Sequence, residues 1–359
     1  MEAATASVTT GFVLSGLIVG VVFGFILQRG QFCMNSAFRD TIFIKDLTMF
    51  RAYLIALVIM IVGANILEDM GTIVLKRQTL YPLANIIGGY IFGIGMVLAE
   101  GCGSGIIYRT GEGLVSAWCA VFGFFIGIAA TTDGILNPLL TLLKNESLSL
   151  SLSGRPNAAL WELLGDGPAI KWSVISVLSV MLSFFILRGK PFTVKKREGL
   201  SWPVTGVLVG VMGVVAFWAS GFWGGGFARG LSFTTPTGEL FFTVLTGNAK
   251  ARFFPMFNLG PYKTTWAAFY IIGVPLGSYI SAKALKKFKW RVATARQLVT
   301  IIAGGSMMGF GAILAGGCNV GQALTGFATL SMGSIVATVA IIAGNWTMVY
   351  FKFIRPIYH

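Results

Sequence analysis

The residues of this chain with the clearest capacity for chemistry are four cysteines, and three of them lie in glycine-marked breaks. Cys102 stands in GMVLAEGCGSG and Cys318 in GAILAGGCNVG, so one glycine-rich segment occurs twice. Cys33 stands in LQRGQFCMNSAFRD, where an apolar run ends in a polar turn. No two cysteines lie within three residues of each other, which excludes a CxxC redox motif and zinc-type spacing.

A thiol in such a break is a weak hydrogen-bond donor and a soft acceptor. Burial among apolar helices favours the neutral thiol over the thiolate. Neutral thiols suit a polarizable anion with an exposed sulfur, whereas thiolates would repel any anion. The fourth cysteine, Cys119 in SAWCAVFGF, is expected to be a buried small side chain. We expect no metal and no cofactor, because the sole histidine is His359 and soft ligands do not cluster.

The elements that carry these breaks are membrane-spanning helices. The chain of 359 residues is 55% hydrophobic and 11% charged, whereas soluble proteins average about 25% charged residues. An all-α polytopic membrane protein is therefore predicted. The first span is not expected to be a cleavable signal peptide, because no basic region precedes it. Nine spans of roughly 20 residues are predicted at about 11–28, 52–68, 84–100, 113–131, 172–188, 203–220, 265–284, 297–315 and 332–350.

One stretch of the sequence repeats with a constant offset of 216 residues. Segment 87–105 aligns with 303–321, and nine of the last eighteen aligned positions are identical. A weaker match relates GLIVGVVFGF to GVLVGVMGVV, each followed by a break that ends in an arginine, Arg39 or Arg229. In that weaker match the counterpart of the Cys33 break is GFWGGGFARG, which has glycine in place of cysteine.

The chain is predicted to be a single membrane domain, residues 1–359, with two related halves at 11–131 and 203–350. Between them, 132–202 holds an extracytoplasmic loop, one linking span and a cytoplasmic loop. An odd number of spans between the repeats inverts the second half, as in many transporters with discontinuous helices. Glycine-rich backbone at membrane depth must face protein or a water-filled cavity. The breaks are therefore predicted to line a pathway, with close helix packing as the alternative.

The chain is basic, with 27 Lys and Arg against 13 Asp and Glu and a formal net charge of +14. Most of the excess falls in segments 188–199, 283–291 and 352–356. All three lie on one side of a nine-span chain whose N-terminus is outside, as the positive-inside rule requires of cytoplasmic loops. The C-terminus is then cytoplasmic.

Three arginines flank the broken segments and are candidates for attracting or orienting an anion. The alternative is an interfacial or orienting role, in which the aliphatic stem lies along apolar surface and the charge reaches water. These residues are Arg39, Arg109 and Arg229.

The sequence resembles the YeeE/YedE family of bacterial inner-membrane proteins, whose best-understood members are thiosulfate transporters. The resemblance covers nearly the whole chain. The stretches that carry it are LQRGQFC and FRD (27–40), IIGGYIFGIGMVLAEGC with YRTGEGL (86–114), GSYISAKALKKF (277–288) and GGSMMGFGAILAGGCNVG (304–321).

The resemblance implies an hourglass-like fold of nine spans in two inverted repeats with re-entrant breaks. It implies inner-membrane uptake of thiosulfate for sulfur assimilation, passed along Cys33, Cys102 and Cys318 by S–H···S hydrogen bonds. A cytoplasmic partner, a small sulfur carrier of the TusA type, is implied as well. Nothing in the resemblance implies an enzyme. One departure is Glu100 beside Cys102, where the second copy has Gly316, because an acid next to an anion path is unexpected.

Other functions remain open at the level of sequence. A selenium-containing anion or another sulfur oxyanion is an alternative substrate. A soft-cation channel would also use thiols, although the basic excess and the lack of an acidic cluster argue against it. A membrane anchor for the sulfur carrier, without transport activity, is the third alternative.

Overall fold

The structure is a computed structural model that describes residues 10–151, 156–193, 199–224, 227–251 and 255–358. His359 and residues 194–198 of the basic segment after the fifth predicted span lie outside the described residues.

The described chain is predominantly helical with almost no sheet, which confirms the prediction of an all-α membrane protein. Its helices are α1 Thr10–Gly30, α2 Met34–Phe43, α3 Thr48–Asp69, α4 Pro82–Leu98, α5 Gly103–Thr110, α6 Val115–Thr132, α7 Asn137–Leu143, α8 Pro168–Leu187, α9 Trp202–Trp223, α10 Thr234–Thr246, α11 Trp266–Ala284, α12 Ala295–Ala315, α13 Met332–Val349 and α14 Arg355–Tyr358.

Short elements fill the connections between these helices. The π-helical segments are Val320–Gly326 and Tyr350–Ile354, and the 3₁₀ turns are Glu146–Leu148, Leu160–Leu163 and Pro191–Thr193. The strands are β1 Val74–Leu75, β2 Phe227–Ala228, β3 Phe257–Leu259 and β4 Tyr262–Thr264. Strands β1 and β2 pair in parallel, with Val74 opposite Phe227, and β3 and β4 form an antiparallel hairpin with Phe257 opposite Thr264.

Eight helices or helix runs in the described residues are long and apolar enough to cross a membrane. They coincide with eight of the nine predicted spans. The ninth prediction, 265–284, is the 19-residue helix α11, which is not in that group. Buried Ser278 and Ser281 and the internal Pro275 make α11 less apolar, and its buried face shows that it belongs to the bundle.

Helices of the first half pack on helices of the second in matching pairs. Helix α1 packs on α11 and α9 packs on α3, while α4 packs on α13 and α12 packs on α6. Helix α4 also lies directly against α12. A β-carbon at Gly88 would collide with the carbonyl oxygen of Gly311, and one at Gly311 would collide with that of Gly88. These glycines inside spans therefore serve close helix packing.

One end of the bundle gathers three connections, and the one between α11 and α12 is rich in basic residues. Gln31, between α1 and α2, donates from Nε2 to Glu112 Oε1 at 3.2 Å. The backbone N–H of Arg291, between α11 and α12, donates to the Gly113 carbonyl at 3.0 Å. Lysines of the 283–291 segment are exposed here. We call this the basic end.

The opposite end gathers the other long connections. The Leu80 N–H donates to the Pro156 carbonyl at 2.9 Å, and the Leu160 N–H donates to the Leu330 carbonyl at 2.8 Å. Segment 132–167 lies between α6 and α8 and contains only α7 and short turns in its described part. No span crosses this part of the chain, as the sequence predicted.

Candidate functional site

Each of the three cysteines in the breaks lies at the N-terminus of a helical segment. Cys33 is the residue before α2, with extended backbone (φ −140°, ψ 121°), and Cys102 is the residue before α5 (φ −88°, ψ 174°). Cys318 precedes the π-helical segment and accepts the Gln322 N–H at its carbonyl oxygen at 2.7 Å. The broken backbone thus presents three side chains at helix starts, where free N–H groups are available.

Cys33 and Cys102 are in contact. The Cys33 Sγ donates to the Cys102 Sγ at 3.5 Å, and both side chains are almost completely buried. The Cys102 Sγ also accepts the Gly105 N–H at 3.3 Å. A β-carbon at Gly105 would lie 3.0 Å from the Cys33 Sγ and 3.3 Å from the Cys102 Sγ. Glycine at this position therefore leaves the space in which the two thiols meet.

Cys318 approaches the same helix start from the second half. A β-carbon at Gly103 would lie 3.5 Å from the Cys318 Sγ. The Cys318 Sγ accepts the Gly321 N–H at 3.4 Å, which repeats the bond between Cys102 and Gly105. We call Cys33, Cys102 and Cys318 the thiol cluster, because all three surround the first turn of α5.

The two halves meet at positions that the 216-residue offset relates. The Gly103 N–H donates to Asn319 Oδ1 at 3.3 Å, and these two residues occupy equivalent positions in the repeat. The π-helical segment follows directly, and such segments are rare in proteins and frequent at functional sites.

The structural counterpart of Cys33 is Phe233, which sequence reasoning missed. Helix α2 begins after Cys33 and α10 begins after Phe233. The predicted counterpart, the glycine-rich GFWGGGFARG, precedes this position, because the connections differ in length. The sequence does contain a signal for this correspondence, because RGQFC (29–33) and RGLSF (229–233) both begin with Arg-Gly and end at the residue before a helix. Phe233 is fully buried and borders the Gly103 end of α5.

The expectation that Cys119 is buried is wrong. Cys119 is only partly buried, because it lies at the edge of an outward face of α6 where Trp118 and Phe122 are 53% and 55% exposed. In a membrane such a face contacts lipid. The residue nevertheless lies outside every helix break, since it is within the continuous helix α6.

Two of the three candidate arginines are paired with carboxylates. Arg229 is 7% exposed and makes a bidentate pair with Glu239, with Nη1–Oε2 at 2.7 Å and Nη2–Oε1 at 2.8 Å. Arg39 Nε donates to Asp40 Oδ1 at 2.7 Å. Because these charges are neutralised locally, both arginines contribute less to the attraction of an anion than sequence reasoning predicted.

Arg109 lies at the end of α5, the helix that starts at Cys102. Its Nη1 donates to the Glu100 carbonyl at 2.9 Å and its Nε to the Tyr108 hydroxyl at 3.3 Å. Among the described residues no carboxylate oxygen lies within ion-pair distance of this guanidinium. Arg109 therefore keeps its positive charge uncompensated on the helix that carries the thiol cluster.

The acid beside Cys102 points away from the thiols. Glu100 has a half-exposed side chain whose Oε1 lies 3.9 Å from Lys352 Nζ. Its backbone is left-handed (φ 57°), as is that of its counterpart Gly316 (φ 87°). Both residues end a helix in the conformation that is common just beyond helix C-termini. Glu100 thus serves the turn and directs its carboxylate toward the surface.

A pocket of about 260 Å³ opens at the basic end, close to the break that carries Cys33. Two of its lining residues are basic, and Gln31 lies two positions before Cys33 in the chain. The lining residues are Gln31, Glu112, Leu114, Lys287 and Arg291. No group of three or more His, Cys, Asp or Glu side chains suited to a metal ion occurs in the part of the chain that the structure describes.

Known proteins similar to this chain are transporters. The family model described as "Sulphur transport" matches residues 29–347. The protein "Thiosulfate transporter TsuA" of Escherichia coli (strain K12) is 32% identical in an alignment of length 358 that covers 96% of this chain and 96% of that protein.

Two further relatives match the chain over nearly its whole length and over about a third of it. The protein of the same name from Spirochaeta thermophila is 32% identical over 353 residues, 95% of this chain and 99% of that protein. "Probable transporter YedE" of Escherichia coli (strain K12) is 37% identical over 112 residues, 31% of this chain and 27% of that protein. The chain therefore belongs to the sulphur transport family, the YeeE/YedE family that its cysteine motifs resemble.

Proposed function

We propose that this protein takes up thiosulfate across the bacterial cytoplasmic membrane. The observation that carries the proposal is the convergence of three buried thiols on the first turn of α5, with Cys33 and Cys102 in contact at 3.5 Å. Two full-length relatives that bear the name thiosulfate transporter support the choice of anion.

The thiols act as neutral donors to the terminal sulfur of thiosulfate. A thiolate would repel a dianion, whereas S–H is a soft, weak donor that matches a polarizable sulfur. The three thiols are fully or almost fully buried, so the anion exchanges water for sulfur contacts over a short distance. We propose that it passes from Cys318 to Cys102 and then to Cys33.

The order in which the anion meets the three thiols follows from the end of the bundle to which each outer thiol is connected. Gln31, two residues before Cys33, bonds to Glu112 at the basic end. Gly316, two residues before Cys318, accepts at its carbonyl from the Gln78 side chain, which belongs to the opposite end. The positive-inside rule makes the basic end cytoplasmic, so the N-terminus is outside and the C-terminus inside.

We further propose that residues 11–131 and 203–350 are inverted repeats joined by 132–202. Helix α1 of the first half packs on α11 of the second half, and α9 of the second half packs on α3 of the first half. A two-fold axis in the membrane plane produces this reciprocal packing. An hourglass-like pathway would then narrow where Gly103 and Asn319 meet.

A cytoplasmic sulfur carrier of the TusA type is the proposed partner at the basic end. Moving a dianion into a negative interior costs about 2.3 kcal/mol per charge per 100 mV. Rapid consumption of thiosulfate by such a partner offsets this cost and traps the anion inside, without a coupling ion.

Uptake of labelled thiosulfate into proteoliposomes that contain only this protein tests the proposal. We expect uptake without any partner protein. A membrane anchor for the carrier would give no uptake. Preferential uptake of a selenium-containing anion or of another sulfur oxyanion in the same assay would replace thiosulfate as the substrate.

Arg109 is expected to accelerate the arrival of the anion. Replacing Arg109 with Gln should lower uptake severalfold at low salt and have a smaller effect as ionic strength rises, because the attraction between its charge and an anion in solution is screened beyond a Debye length of about 10 Å at 0.1 M. Arg39→Gln is the matched control, since Arg39 is paired with Asp40. Equal effects of both substitutions at every salt concentration would contradict a steering role for Arg109.

A further inference from the structure

Asn319, the residue after Cys318, carries a buried donor that the protein leaves unused. Its side chain is fully buried, and its Oδ1 accepts the Gly103 N–H at 3.3 Å. Within the described chain its Nδ2 has no hydrogen-bond partner. A buried amide N–H without an acceptor is unfavourable, and such groups are uncommon in native proteins. The position therefore calls for a ligand that accepts a hydrogen bond.

The bond to Gly103 places this donor at the same end of α5 as the thiol cluster. The bond from the Gly103 N–H fixes the oxygen, and the nitrogen is attached to the same carbon, so it lies at the same end of α5. The Gly103 position is also where Cys318 makes its close approach, since a β-carbon there would lie 3.5 Å from the Cys318 Sγ. Helix α5 begins here, and a helix N-terminus favours negative charge.

Thiosulfate has two chemically different ends, and the thiols suit only one of them. The terminal sulfur is soft and polarizable, whereas the three oxygens are hard acceptors that prefer strong N–H donors. Ser104, a nearby hydroxyl, already bonds to the Cys102 Sγ at 3.3 Å. Asn319 Nδ2 is thus an unused N–H donor beside the cluster.

We propose that Asn319 is a specificity-determining residue whose Nδ2 donates to an oxygen of the anion while the terminal sulfur contacts the thiols. The inference rests on the proposed function and adds recognition of the oxygen end. In the first half the equivalent position is Gly103, so this contact is made from the second half alone. The anion is therefore held in one orientation, with its oxygens toward Asn319 and its sulfur toward Cys102 and Cys33.

Two substitutions separate recognition of the anion from a purely structural role. Asn319→Asp keeps an oxygen acceptor for the Gly103 N–H but removes the donor and adds a charge that repels the anion. Asn319→Leu has a similar size and removes both groups. If Asn319 only bonds to Gly103, the Leu variant should lose stability without a change in the apparent KM, and any rise in the KM of the Asp variant would come from its added charge alone.

The matched control is Asn85→Leu. Asn85 is equally buried, but both of its polar groups are paired, with Nδ2 donating to the Ala315 carbonyl at 2.9 Å and Oδ1 accepting the Tyr81 N–H at 2.9 Å. This control should lower the thermal stability of the purified protein and leave the apparent KM for thiosulfate unchanged.

The experiment measures the apparent KM for thiosulfate in proteoliposomes and the thermal stability of the same preparations. We expect both Asn319 variants to raise the KM about tenfold or more, the effect of losing a hydrogen bond to a charged partner. A KM within twofold of wild type in either stable variant overturns the inference, and so does a loss of stability in both variants that matches Asn85→Leu. Absence of uptake by the wild-type protein would instead refute the proposed function.

Discussion

Replacing Cys102 with alanine is expected to reduce thiosulfate uptake by about tenfold to a hundredfold, because the anion loses a hydrogen-bond donor in a buried site. Cys102 is the central member of the thiol cluster. Its Sγ lies 3.5 Å from the Cys33 Sγ. It immediately precedes the first turn of α5, which Cys318 approaches from the second half. Alanine substitutions at Cys33 and Cys318 should have effects of the same order. Initial rates of labelled thiosulfate uptake in proteoliposomes measure each effect.

The substitution Cys102→Ser tests whether the hydrogen-bond donor must be a thiol. A hydroxyl keeps a donor but is smaller and harder than a thiol, so Cys102→Ser should transport poorly despite its similar shape. Hydrogen bonding of any kind would be sufficient if the serine variant transported thiosulfate at the wild-type rate.

Cys119→Ala is the matched control for the cysteine series. It removes a thiol from the same chain, but from within α6, outside every helix break. Its uptake should equal that of wild type. An inactive Cys119 variant, or an active Cys102→Ala variant that is inserted at normal levels, would contradict the assignment of the thiol cluster.

The sequence identified Cys102 and Cys318 as equivalent positions because both lie in a repeated segment without insertions. The 216-residue offset places Gly103 opposite Asn319, and the structure joins these residues by a hydrogen bond of 3.3 Å. The contact between Cys33 and Cys102 was not predictable from spacing, since it depends on how α2 and α5 meet. Only the resemblance to a family suggested it.

The counterpart of Cys33 was missed for a physical reason as well. Connections between helices tolerate insertions, because loop closure costs little extra entropy as the loop grows. The register after α9 therefore differs from that after α1, and Phe233 takes the position that a glycine segment was expected to hold. The partner of Arg229 was also hidden, since Glu239 lies on the next helix and only the folded chain brings them together.

Helix α11 is a predicted span that mean hydropathy alone does not identify. Helix α11 buries Ser281 against α1, and the Ser281 hydroxyl donates to Gln28 Oε1 at 2.6 Å. A span surrounded by protein can carry such polar groups, because its neighbours supply the hydrogen-bond partners. Length and pattern identified α11 from the sequence, whereas mean hydropathy alone does not.

Replacing Arg229 with Met is expected to lower the free energy of unfolding by about 3–5 kcal/mol, because it leaves a buried carboxylate without its counter-charge. Glu239 is 6% exposed, and its Oε2 accepts from both Arg229 Nη1 at 2.7 Å and the Thr265 hydroxyl at 2.6 Å. Thermal unfolding of the purified protein in detergent measures the loss.

The double variant Arg229→Met, Glu239→Leu should recover most of that stability, since a buried ion pair is often replaceable by apolar side chains of similar volume. Lys250→Met is the matched control. Lys250 Nζ lies 2.7 Å from Asp133 Oδ2, the same distance as in the buried pair, but these side chains are 39% and 40% exposed. Its loss should cost about 0–1 kcal/mol, as for other exposed pairs. If Arg229→Met were as stable as the Lys250 variant but transported thiosulfate slowly at low salt, Arg229 would attract the anion after all, and its pairing with Glu239 would be secondary.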